Sequence, residues 1–530
     1  MKPRSAGIGL AALLLPAMAQ GQLSGNYVVG PPGFGNYTTV SAAVAALHAV
    51  GVSGPVTINI LPGSYPEQVE FLSIAGTSAV NQVIFTSSTG IAADVTIGPA
   101  PSGTHTIDLA DVKNVVFEHV SVLAGTAGVI GTYPRGCEVR DCVITGVVGG
   151  PTVEGVAFED AKGCAVLRNE LSNVGWAIRV GSSGVGTSEN INVNGNTIDC
   201  DCAGVELLGV DHQYIKQNQV VVSGDGCTGS GILSLGGSGV FRINGNKVYT
   251  TAAAPCLEVE GFTGVAAQPG RIINNMLIQG RDATGQLAML LADCEELDIF
   301  HNSMQVTHQF ANVVQMYDVG QIRFKGNILR AATDGMVLFI DGLTGSFTSD
   351  YNLFDTPLSY ACSIAPLGYT IASWQAAGYD ANGVFADPLF VADYDLHLTS
   401  SSPARNLVPL NTGVVDDFDG EARPWPVNNL SDMGCDEWTA LWGGGHKSAF
   451  EASDGSYIGI APNPARDHFR VTFASTDLHA YQLYRSDGAL VRSGWVLSGE
   501  TVPVADLSPG VHILVLPGMP GASTRLVIAH

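Results

Sequence analysis

Positive charge is scarce in this sequence of 530 residues: 24 Lys and Arg face 48 Asp and Glu, a formal net charge of −24, and only 14% of the chain is charged. Nucleic acid is bound through a concentrated basic surface that releases counterions. Here the Lys and Arg between Gln22 and Ala440 stand scattered singly, which argues against such a partner. Long apolar runs are missing as well. Past the first twenty residues none approaches the ~20 residues a spanning helix needs, so no membrane-spanning body is expected. Cysteine is sparse, ten residues in all, too few to define the fold. There is no CxxC pair, no HExxH and no Ser/His/Asp signature, which leaves a zinc site or a serine hydrolase with little support. What the chain does have is 65 Gly. With frequent Val, Ile, Thr and Asn, this composition suits many short strands and turns.

The two ends read differently from the middle. Lys2 and Arg4, the apolar stretch Ile8 to Leu15, Pro16 and Ala17-Met18-Ala19 have the order of a signal peptide, assigned to residues 1–21. Residues 441–456 lose all periodicity, are rich in Gly and Ser, and read as a linker. Residues 457–530 then alternate short strands with turn signals, as a small β-sandwich does. Pro462-Asn463-Pro464-Ala465, the turn Tyr484-Arg485-Ser486-Asp487-Gly488, Asp506-Leu507-Ser508 with Gly510-Val511, and the terminal apolar strand resemble the C-terminal sorting domain of the bacterial type IX secretion system. That resemblance implies the secretion machinery as a partner. It also implies a product secreted from, or attached to the outer surface of, a Gram-negative bacterium.

Between residues 114 and 354 one pattern recurs: an apolar residue, two variable ones, Asn, one variable, and an apolar residue. Its landmarks are Asn169, Asn196, Asn218, Asn246, Asn275, Asn302, Asn327 and, more loosely, Asn352, spaced 27, 22, 28, 29, 27, 25 and 25 apart. Asp141 and His119 look like weaker earlier occurrences. A second column lies upstream, in triplets such as Ile178-Arg179-Val180, Val205-Glu206-Leu207 and Leu257-Glu258-Val259. Two strands per repeat in fixed phase predict a β-solenoid, each coil stabilised only by stacking on its neighbours. Asn suits a turn because it tolerates the left-handed conformation, and its amide can bond the equivalent Asn one coil away.

Thr39 to Val50 has helical apolar spacing and predicts an N-terminal cap over the open strand edge. This order, the Asn repeat, and the ending Asp387-Pro388-Leu389-Phe390, Leu396-His397-Leu398, Ser402-Pro403-Ala404, Asp417-Phe418-Asp419-Gly420 and Arg423-Pro424 resemble the right-handed parallel β-helix proteins of the pectate-lyase-like superfamily. The resemblance covers about residues 25 to 440, within a β-helix domain assigned to residues 22–440. It speaks for fold far more than for activity, since this fold hosts lyases, hydrolases, epimerases and adhesins.

A pectin-hydrolase site would need paired Asp in NTD and GDD sequences with GHG and RIK. The chain offers only Asn196-Thr197-Ile198-Asp199 and Gly224-Asp225-Gly226. Column phase instead brings Arg179, Glu206 and Glu258 outward on one sheet with Trp176 at the edge, a ligand-binding candidate for sugars. The plainer reading is a solvated face with a cross-coil ion pair worth ~0.5 kcal/mol. Asp293, Asp318 and Asp341, 25 and 23 apart, are candidates to hold Ca²⁺, or else open exposed turns as Gly181, Gly209 and Gly236 do. The acidic run Asp416 to Glu421 reads as structural first and Ca²⁺-binding second. Cys137 with Cys164, and Cys227 with Cys256, share a phase on neighbouring coils and are either disulfides or stacked thiols. The expected function is binding of an extended polysaccharide or surface ligand. The alternatives are a polysaccharide lyase acting on uronate polymers, or a non-enzymatic adhesin.

Overall fold

The computed structural model describes residues 21–98, 104–147, 150, 152–184, 187–224, 229–280, 286–308, 311–424, 429–438, 458–461, 463, 465–466, 468–473, 479–485, 489–496, 501–516 and 523–529. From Leu23 to Phe385 the chain winds as a right-handed parallel β-helix of about 13 turns, almost without α-helix. Each coil carries three short strands rather than the two expected. One coil runs Ala127–Thr132 on a first face, Glu138–Arg140 on a second and Val143–Gly146 on a third. The third strand begins directly after the landmark, so the repeat pattern, with its apolar residue two places beyond the Asn, runs the second and third strands together as one. Glu170–Gly181 and Thr197–Leu208 each run unbroken from the third face to the next coil's first face.

The core follows from alternation. On the first face Val129, Val156, Ile178, Val205, Ile232, Leu257, Met289, Val314 and Leu338 pair in register one above the other. All are buried, each removing apolar surface worth roughly 1.5–3 kcal/mol relative to exposure. Parallel strands at ~4.8 Å make every such column a continuous stack.

The landmark Asn residues stand at the corner between the second and third faces with side chains turned inward, all buried. The Oδ1 of each accepts both the backbone N–H and the side-chain amide of the landmark before it, as Asn196 does from Asn169 at 2.9 and 3.0 Å. The Nδ2 of each also reaches a carbonyl of the preceding coil, Asn196 to Val166 at 2.8 Å. The same bonds recur through Asn218, Asn246, Asn275, Asn302, Asn327 and Asn352. The left-handed residue is not the Asn but the one before it: Arg168, Gly195, Gln217, Gly245, Asn274, His301, Gly326 and Tyr351 all have φ between 51° and 68°. Asp141 and His119 hold this same turn position, both at φ 52°, so the landmark position there belongs to Cys142 and Val120.

Both ends of the ladder are closed. Upstream, the Cys142 N–H donates to Asn169 Oδ1. Downstream, the N–H and Nδ2 of Asn352 donate to Asp380 Oδ1 at 3.2 and 2.8 Å, while Trp374 Nε1 and the Ser349 hydroxyl donate to Asp380 Oδ2. Over the N-terminal opening lies the helix Val40–Val50, capped by the Thr39 hydroxyl as its sequence predicts. Glu67 of the first coil accepts from the N–H groups of Val40 and Ser41, both at 2.9 Å, placing a carboxylate at the positive end of the helix. Phe390–Ala392 with Asp395–Leu398, and Val408–Pro409 with Leu430–Ser431, form short antiparallel pairs, with Tyr394 and Leu396 buried against Tyr249, Met276 and Ile278 of the coils. The C-terminal segment forms antiparallel sheets of three and four strands that share a core of Phe469, Val471, Leu483, Leu514 and Leu526.

Of the two alternatives for the same-phase cysteines, disulfides or stacked thiols, the described ones take the second. Cys137 and Cys164 do stand in the same phase on adjacent coils, one residue before the paired Glu138 and Ala165, but both are free buried thiols, and so is Cys256. They fill inward core positions, where a thiol packs as a small apolar group. Cys227 lies outside the described residues. Among the described cysteines Cys202 is disulfide-bonded, a bond that column phase does not predict. No helix among the described residues is long and apolar enough to cross a membrane.

Replacing Asn246 by Ala removes the acceptor of the Asn218 N–H and amide and the donor to the Ile215 carbonyl, all buried. We expect a loss of about 2–4 kcal/mol in equilibrium urea unfolding. Asn244→Ala, on the outer side of the same coil, should change stability by no more than ~0.5 kcal/mol.

Candidate functional site

Outward side chains on the first face form a second column, in which Ala157, Arg179, Glu206, Leu233, Glu258, Leu290, Gln315 and Phe339 pair in register. The structure therefore brings Arg179 and Glu206 side by side, as their spacing predicts, and puts Glu258 two coils further on, roughly 9.6 Å along the stack. Trp176 sits three residues upstream on the Arg179 strand, with the guanidinium carbon 5.7 Å from its ring centre. One residue escaped the sequence reading. Glu154 pairs directly with Trp176 one coil earlier and approaches Arg179 from the opposite side to Glu206. The signal lies in the register, since 154 stands 22 before 176, outside the triplet centres.

The electrostatics of this patch depart from those of a solvated surface. Arg179 lies 3.6 Å from Glu154 Oε1 and 3.6 Å from Glu206 Oε2, beyond hydrogen-bond length in both directions, and its side chain is 45% exposed. The Glu206 side chain is only 6% exposed. Burial pushes its carboxyl up to about 6, Arg179 draws it down, and the like charges of Glu258 and Glu154 raise it further. The carboxyl of Glu159, on the strand beside Arg179, is raised by burial and by Asp160. Glu258 accepts a hydrogen bond from the Ser230 hydroxyl. A half-exposed guanidinium lacking tight hydrogen bonds, a buried carboxyl that titrates near neutrality and an indole thus share one rigid ridge. Such a set can receive an anionic group, shift a proton and seat a flat apolar surface.

The Asp trio does not assemble. Asp293 and Asp318 are left-handed turn residues, at φ 51° and 49°, in the position that Gly209, Gly236 and Gly261 fill in earlier coils. Asp341 pairs with Tyr317 and so falls one residue out of phase. Among the described residues none of the three belongs to a group whose ligand atoms converge. In the Asp416 to Glu421 run, Asp417 is a turn-former, its Oδ1 accepting from the N–H groups of Asp419 at 3.0 Å and Glu421 at 2.7 Å.

No protein-family model matches the chain, and no curated protein matches it. Among solved structures it is similar to the A-module of a mannuronan C-5 epimerase of Azotobacter vinelandii, at 12% identity and a TM-score of 0.36, covering 66% of this chain and 94% of that one. It is also similar to a surface adhesin of Streptococcus pneumoniae, at 11% identity and 0.30, covering 62% and 91%. A mannuronic-acid-specific polysaccharide family 6 lyase from human gut microbiota matches at 9% identity and 0.24, covering 66% and 93%.

Because the folded-state value of Glu206 lies above its ordinary 4.5, the native protein binds this proton more readily than the unfolded chain. Its contribution to stability is then greatest below pH ~4.5 and is lost as pH rises through about 6. Glu206→Gln should accordingly raise the melting temperature at pH 7.5 and leave it nearly unchanged at pH 4.

Proposed function

We propose that the first face binds an extended acidic polysaccharide. The observation that carries this reading is Arg179, held between Glu154 and Glu206 at 3.6 Å from each without a hydrogen bond to either, and beside Trp176. A uronate carboxylate offered to such a guanidinium gains bidentate, charge-assisted hydrogen bonds that the protein's own carboxylates do not make. The indole offers an apolar platform to the face of a sugar ring. Columns that repeat coil after coil present these groups on a backbone already ordered, so little conformational freedom remains to be lost on binding.

Glu206 favours a second reading, in which the polymer is also cleaved. A carboxylate that titrates near 6 can accept the proton on the carbon next to a uronate carboxyl, while Arg179 neutralises that carboxyl. The electron pair left behind forms a carbon–carbon double bond as the glycosidic bond breaks, and the departing oxygen takes a proton from Glu206 or water, giving an unsaturated uronate and a free hydroxyl.

We further infer that the chain is exported, residues 22–440 forming the β-helix unit and 457–530 serving as a type IX sorting domain. The antiparallel sheets after residue 457 support that division. The leader, residues 1–21, and the linker, residues 441–456, fall outside the described residues apart from Gly21.

Affinity electrophoresis in gels containing alginate or pectate tests binding. Arg179→Ala and Trp176→Ala should each weaken retardation about tenfold, the effect of one charge-assisted bond or one lost platform. Retardation by neither polymer, or retardation untouched by both substitutions, sinks the binding reading. Growth of unsaturated-uronate absorbance that Glu206→Gln abolishes would establish the cleavage reading.

A further inference from the structure

His397 stands where three separate segments meet: the strand Asp395–Leu398, the turn 417–421 and the stretch 432–437. The ligand atoms of His397, Asp419 and Asp436 all lie within 4.8 Å of one another, an arrangement found for no other such group among the described residues. His397 and Asp436 are each only 4% exposed, and Asp419 is partly exposed.

Each of these three residues is fixed from behind. The Nδ1 of His397 is hydrogen-bonded to Asp395, which turns Nε2 toward Asp419 Oδ2 at 3.0 Å. Asp436 Oδ2 accepts from the Leu398 N–H at 2.7 Å, and its other oxygen has no hydrogen-bond donor among the described residues. The Asp419 backbone is held by Asp417, whose Oδ2 also accepts from the Glu437 N–H at 2.9 Å and so links turn and tail. Phe418 closes one side, edge-on to the imidazole at 5.8 Å.

Charge supplies an independent argument. Asp395, Asp417, Asp432, Asp436 and Glu437 are all at most 5% exposed. The buried cations among them are Arg423, engaged with Glu437 at 3.0 Å, and, when protonated, the imidazole of His397 between Asp395 and Asp419, two against five. Buried carboxylates in such excess over buried cations are costly unless a further cation joins them.

We propose that His397 Nε2, Asp419 and Asp436 form a binding site for a divalent transition-metal ion of the zinc class, with Asp395 as the carboxylate that orients the imidazole. A carboxylate behind a ligating histidine is a recurrent second layer of such sites. An imidazole with two carboxylates suits Zn²⁺ better than Ca²⁺, which prefers oxygen alone. The ligands stand 22 and 17 residues apart, so no short motif announces them. An ion there ties the strand, the turn and the tail that lie along the coils. The site is separate from Arg179 and Glu206, so it stands or falls independently of the polysaccharide reading.

The test uses the full chain, stripped with chelator, exchanged into metal-free buffer and titrated calorimetrically with ZnCl₂ and, separately, CaCl₂. One equivalent of Zn²⁺ should bind with a micromolar or lower Kd, and the melting temperature should rise with Zn²⁺. His397→Ala should remove that equivalent. Should that variant misfold, Asp419→Asn decides, because its partly exposed side chain can be changed conservatively; it should weaken binding at least tenfold with an unchanged circular-dichroism spectrum. No Zn²⁺ equivalent in the wild type, binding of Ca²⁺ alone, or Zn²⁺ binding unaffected by Asp419→Asn overturns the proposal.

Discussion

The β-helix depends throughout on one constraint: parallel strands must stack at a single spacing, coil upon coil, with no coil able to bury a core alone. Apolar columns satisfy the demand for burial, but they do not by themselves forbid a slip. The buried Asn line does. An amide displaced by one residue would leave its donors, its acceptor and a neighbour's N–H without partners inside the protein, a far larger penalty than repacking Val against Ile. The ladder thereby sets the phase in which the outward columns also stand, and Arg179 meets Glu206 because Asn169 meets Asn196.

The phase was legible in the sequence because Asn cannot be exchanged there for another residue of equal hydrogen-bonding reach. The turn residue ahead of it was not, since Gly, Arg, Gln, Asn, His and Tyr all take the position and only the backbone reveals their shared positive φ. Gly at Gly195, Gly245 and Gly326 removes the strain, whereas the others bear it, supported by the bonds on either side. The triplets disclose the first face, and the third face hides because its strand starts directly after the landmark Asn and shares one sequence pattern with the second.

Other parts were legible only in half. Same-phase cysteines did become neighbours, but proximity does not fix oxidation state, and Cys137 and Cys164 are thiols while Cys202 is bridged. Asp341 was grouped with Asp318 by spacing in sequence, although pairing puts it opposite Tyr317. The burial of Glu206 was invisible, because outward position in a column suggests exposure and the neighbouring coils cover it. His397 was seen as part of an ending motif, and only the fold joins it to Asp436. Positions that repeat along the coils could thus be read from the sequence, and positions made by chain returning from afar could not.

The Asn ladder runs in one direction. Each Nδ2 donates one hydrogen to the Oδ1 of the next landmark and the other to a carbonyl of the preceding coil, and the last of these donors, that of Asn352, ends on Asp380. Asp380 closes that end with a carboxylate. The molecule therefore has a stop as well as a repeat unit. A coil duplicated anywhere between Cys142 and Asn352 would inherit both a donor and an acceptor and could lengthen the rod. A coil placed beyond Asp380 would meet an oxygen pair already taken by Asn352, Ser349 and Trp374, with no amide to hand on.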